Sequence, residues 1–81
     1  MDTLDADTRA VADWLASDEN TYVRDSLYTA ARASNPGLSG DLYWALENAG
    51  HSELAKLTEN ATIDWPYLYN IILGVVQHDQ P

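Results

Sequence analysis

The residues best equipped for chemistry in this chain are its two histidines and thirteen carboxylates. His51-Ser52-Glu53 has the His-x-Glu spacing that serves hydrolytic zinc sites when a cysteine pair supplies the remaining ligands, but the chain contains no cysteine. Asp5-Ala6-Asp7 begins like a calcium loop, then places Arg9 and Ala10 where an oxygen ligand and a glycine are needed. Gly37-Leu38-Ser39-Gly40 precedes a helical pattern and could cradle a phosphate. No lysine follows it, however, and Asp41 would repel the anion, so a turn is the better reading. No nucleophile elbow or dinucleotide fingerprint is present. The expectation is a protein without catalytic, metal or cofactor chemistry of its own, with His51 at an interhelix corner and His78 in a frayed tail.

What the carboxylates do supply is a field. Thirteen acids stand against four cationic side chains, a formal net charge of −9 on 81 residues. Direct nucleic-acid binding requires clustered Lys and Arg on the phosphates, so this balance argues against it and for a protein partner with a basic surface. The same Asp-rich, Lys-poor composition also suits adaptation to high salt, in which case it says little about partners. Local pairing absorbs part of the positive charge: Arg9 is four residues from Asp5 and Asp13, and Lys56 three from Glu53 and Glu59.

Aromatic placement narrows the expectation. At about 100° per residue, Trp44 falls nearly opposite the Leu42–Leu46–Ala49 stripe of its helix. Tyr28 points away from the Val23–Leu27–Ala30 stripe, with Asp25 and Arg32 on the same outer side. Trp and Tyr in such positions are the side chains most enriched as interface anchors. The alternative is a central third helix, apolar all round and packed on both sides. The expected partner-binding residues are Asp13, Asp25, Tyr28, Asp41, Trp44 and Glu47.

The elements that must position these residues are helical. Leu4, Val11, Trp14 and Leu15 share one side, with Asp2 or Thr3 as the expected cap. Val23, Leu27, Ala30, Ala31 and Ser34 follow after an Asn20 cap, and Asn35-Pro36-Gly37 stops that helix. Ser39 and Ser52 are the expected caps of a third and a fourth helix, which meet at Gly50, a natural left-handed stop. Pro66 suits the first position of a fifth, with Leu68, Ile71, Ile72, Val75 and Val76 at helical spacing. The β-branched run from 67 to 76 leaves a strand open there. The predicted fold is all-α: one compact domain over 1–81 with about five short helices.

The N-terminus lacks a basic start and an apolar stretch, and no apolar run approaches the roughly 20 residues that span a bilayer. A cytoplasmic location without membrane contact is therefore expected. Leu42 to Lys56, LYWALENAGHSELAK, resembles a helix–Gly–helix corner of the death-fold interaction domains over about a fifth of the chain. In size and charge alone, the chain is similar to the small acidic phage and plasmid inhibitors of restriction or CRISPR systems. That likeness implies an inhibitor that occupies a basic, nucleic-acid-binding surface. A helical adaptor joined mainly through apolar aromatics, including the Trp65-Pro66-Tyr67 corner, is the competing expectation.

Overall fold

Thr8 is where the fold is tied together. In the computed structural model, which describes residues 4–78, its side chain is fully buried although it is polar. Its hydroxyl donates to Asp5 Oδ2 (2.6 Å) and accepts from the Asp64 amide (3.0 Å). That single oxygen thus joins the first helix to the start of the last.

Five α-helices run through the described residues: α1 (Ala6–Ala16), α2 (Thr21–Arg32), α3 (Leu38–Asn48), α4 (Ser52–Leu57) and α5 (Trp65–Leu73). A 3₁₀ turn, Asp18–Asn20, links α1 to α2. The all-α expectation holds, and the run from 67 to 76 is helix as far as Leu73 rather than strand. No helix is long and apolar enough to cross a membrane among the described residues. Helix α5 packs on α1 and α2, α3 lies between α2 and α4, and α4 also touches α1. Between them sits one core: Val11, Ala12 and Leu15 from α1, Val23, Leu27 and Ala31 from α2, Leu38, Leu42 and Leu46 from α3, Ala55, Ile63, and Leu68, Ile71 and Ile72 from α5.

The helix ends differ from the expected caps. Asp2 and Thr3 lie outside the described residues; Asp5 caps α1, its Oδ1 accepting from the Asp7 and Thr8 amides at 2.8 and 3.1 Å. Ser39 and Ser52 are not caps. Helix α3 already starts at Leu38, with the Ser39 hydroxyl turned back onto the Pro36 carbonyl (3.1 Å). Ser52 is the first residue of α4 and donates to Glu47 (3.3 Å). Asn20 precedes α2, but its side-chain amide donates to the Trp14 carbonyl (2.7 Å) at the end of α1.

Trp65 is the first helical residue of α5 rather than being held out by Pro66. Asp64 caps that helix by accepting from the Tyr67 amide (3.1 Å), while its own amide is held by Thr8. This anchoring outweighs the preference of a pre-proline residue for extended backbone.

Three helices end in the same way. Ser34, Gly50 and Gly74 all adopt left-handed backbone, φ 52°, 84° and 78°. The amides that follow them reach back to Ala30, Leu46 and Asn70 at 2.9 Å each, which satisfies last-turn carbonyls. Gly50 behaves as its type suggests, but α2 stops at a serine. Because Gly74 ends α5, Val75 and Val76 lie beyond the helix and Val75 is exposed.

The exposed ends of α1 carry charge that suits them. Arg24 Nη1 donates to the Leu15 and Ser17 carbonyls (2.6 and 2.8 Å), a cation placed on the negative end of the helix dipole. At the other end the Thr8 hydroxyl, then the Thr8 and Asp7 amides, hold the Asp5 carboxyl below its ordinary value. A depressed folded-state value adds stability above the unfolded-state value, and that stability is lost as pH falls through the folded one. Wild type should therefore melt above Asp5→Asn at pH 6. The gap should narrow at a pH below the ordinary aspartate value. Thermal melts at the two pH values check this, and a gap that does not change with pH contradicts it.

Candidate partner-binding site

Helix α3 is sharply two-sided. Leu38, Leu42 and Leu46 recur every fourth residue and are fully buried. Trp44, on the reverse side, is 65% exposed, with Asp41 and Glu47 each one turn away. The central-helix alternative for Trp44 is thereby set aside. Half-buried Tyr43 supports the indole edge-to-face, ring centres 6.4 Å apart at 90°. Glu47 and, more weakly, Glu59 push the Tyr43 phenol above its ordinary value, since both disfavour a further negative charge beside them.

On α2, Asp25 and Tyr28 are exposed on adjacent turns, Tyr28 to 43%. Tyr22, absent from the sequence-derived set, is 66% exposed two turns before Tyr28. The helical wheel that singles out Tyr28 also puts Tyr22 well off the Val23–Leu27–Ala31 stripe, so that signal was in the sequence. No ring contact or hydrogen bond joins these α2 side chains to Trp44 among the described residues.

Asp13 stands apart from both groups. Its Oδ1 lies 2.6 Å from His78 Nε2, and His78 Nδ1 lies 2.7 Å from the Tyr67 hydroxyl. A ring carrying its proton on Nε2 satisfies both contacts, donating to Asp13 and accepting from the phenol. The His78 side chain is only 6% exposed, so the histidine expected in a frayed tail is instead an internal fastener between α1, α5 and the tail. The left-handed turn at Gly74 is what brings the tail back over α1. Both ring nitrogens are engaged within the protein, which leaves neither for a substrate.

Asp13 also edges an open groove of about 690 Å³ with Trp14, Glu19, Tyr22 and His51. His51 is exposed there, its ring 5.9 Å from that of Trp14. Among the described residues no three His, Asp or Glu side chains converge as metal ligands.

The six expected binding residues therefore occupy three places: Asp41, Trp44 and Glu47 on α3, Asp25 and Tyr28 on α2, and Asp13 at the histidine fastener. Only the α3 set combines a largely exposed indole with carboxylates on both sides. Comparison with known proteins adds no assignment, as no family model, curated protein or solved structure matches the chain.

Proposed function

We propose that this chain is a small acidic regulatory protein that binds another protein through the outer side of α3, with Trp44 as the anchor. The observation that carries the reading is the 65% exposure of Trp44 between Asp41 and Glu47. Burying the rest of that ring in a partner is worth about 4 kcal/mol before the costs of association. The flanking carboxylates and the net charge of −9 favour a basic partner surface and speed encounter with it. An inhibitor that covers a surface otherwise used for nucleic acid is one form of this activity. Binding, rather than catalysis, is the role proposed.

A helical adaptor with a mainly apolar contact is the second reading, favoured by the exposed rings of Tyr22 and Tyr28 in addition to that of Trp44. Affinity capture from lysate of the native host, with wild type and Trp44→Ala as baits, tests both readings at ionic strengths of about 0.05 and 0.5 M. A captured protein should lose at least about tenfold affinity for Trp44→Ala. It should also bind more weakly at high salt. Trp44-dependent capture that salt leaves unchanged supports the adaptor. Capture indifferent to Trp44, or none at all, removes this site.

A further inference from the structure

We propose that the groove between the first turn of α3 and the end of α4 receives an arginine side chain of the partner. The inference rests on the protein-binding reading above and names what that site grips.

Ser39, Gly40, Tyr43, Trp44, Thr58 and Glu59 line the groove, a space of about 290 Å³. Trp44 and Glu59 thus line the same groove, and Glu47 lies one turn from Trp44 along α3. A planar guanidinium can stack on the indole while its N–H groups donate to a carboxylate. A lysine ammonium is a compact, strongly hydrated charge and does the first of these less well. Both acids lie near Tyr43, another lining residue, and hold its phenol above the ordinary value.

Gly40 supplies an independent observation. It lies inside α3, where glycine is a poor choice, and its φ is not left-handed. A Cβ built there would meet nothing within 4 Å. Neither backbone conformation nor packing therefore calls for glycine at this position. One turn before Trp44, it leaves one lining position of the groove without a side chain.

The test is a titration of the full ¹⁵N-labelled chain with the blocked peptide acetyl-Gly-Arg-Gly-amide, followed by NMR. The Trp44 indole signal is identified by its loss in Trp44→Phe. The Trp44 indole and Gly40 amide signals should shift saturably. The citrulline counterpart, equal in shape but uncharged, should bind at least about fivefold more weakly, and the lysine peptide should fall between them. Gly40→Gln should weaken the arginine peptide by a similar factor, about fivefold, without lowering the melting temperature.

Equal shifts with citrulline overturn the proposal. So do shifts spread over the acidic surface without saturation at Trp44, or a Gly40→Gln variant that binds as wild type does. Any of these would remove the arginine groove while leaving Trp44-dependent capture of a partner untouched. Loss of that capture with the groove still binding peptide would instead count against the protein-binding reading alone.

Discussion

Leu42→Ala should destabilise the protein by about 3 kcal/mol, the central value for emptying a fully buried leucine site. Leu42 sits at the middle of the inner stripe of α3, the helix that contacts both α2 and α4. Neighbours on both sides limit how far the site can collapse around the missing atoms, so the cavity persists. A domain of this length has a total stability of roughly 4–12 kcal/mol. The substitution would thus remove a quarter or more of it. Urea unfolding followed by far-UV circular dichroism measures the difference. Trp44→Ala is the control from the opposite side of the helix and should stay within about 0.5 kcal/mol of wild type. A loss below about 1 kcal/mol for Leu42→Ala would mean that the inner stripe of α3 is not held between α2 and α4.

The second large effect concerns His78, three residues from the C-terminal end of the sequence. His78→Ala removes both hydrogen bonds of an almost buried ring, one to a carboxylate and one to a phenol. With about 1 kcal/mol for each bond and some packing besides, the expected cost is about 2 kcal/mol. Asp13 retains partial access to water, which keeps the cost from rising further. Tyr67→Phe, which deletes only the phenolic contact, should cost about 1 kcal/mol. The site of the effect matters as much as its size. Amide exchange should accelerate through residues 74–78 and the facing turn of α1 before it does in α3. A His78→Ala variant that unfolds at the wild-type urea concentration would show that the fastener contributes nothing in solution.

The helices were legible because the period of the apolar residues is a local property of the chain. Val23, Leu27 and Ala31, or Leu42 and Leu46, can face one core only if the backbone turns at about 100° per residue. The same geometry turns Trp44 away from the leucine stripe, but only the packing of the other helices shows that this side faces solvent. Gly50 was equally readable, as a residue free to adopt φ 84° where a helix must stop. Ser34 was not, because a serine carries no such freedom and takes φ 52° only in the company of the Asn35–Ala30 hydrogen bond.

Caps were the weaker part of the reading for a physical reason. Several Asp, Asn and Ser side chains precede each helix, and any of them can accept an amide. Thr8 selects between them. Its hydroxyl orients Asp5 at one helix start and holds the amide of Asp64 at another, across a separation of 56 residues. The cationic side chains show the same dependence on distant partners. Arg24 serves the carbonyls of Leu15 and Ser17 on a different helix, a role that spacing within α2 could not reveal.

Composition thus settled the anionic character and periodicity the helical class, since the spacing of apolar residues within a turn or two needs no distant partner. Tertiary packing alone decided that Asp13 meets His78 across 65 residues and that Gly40, Trp44 and Glu59 line one groove. Contacts of that kind arise when separate helices are brought together, and no local pattern encodes the angle at which they meet.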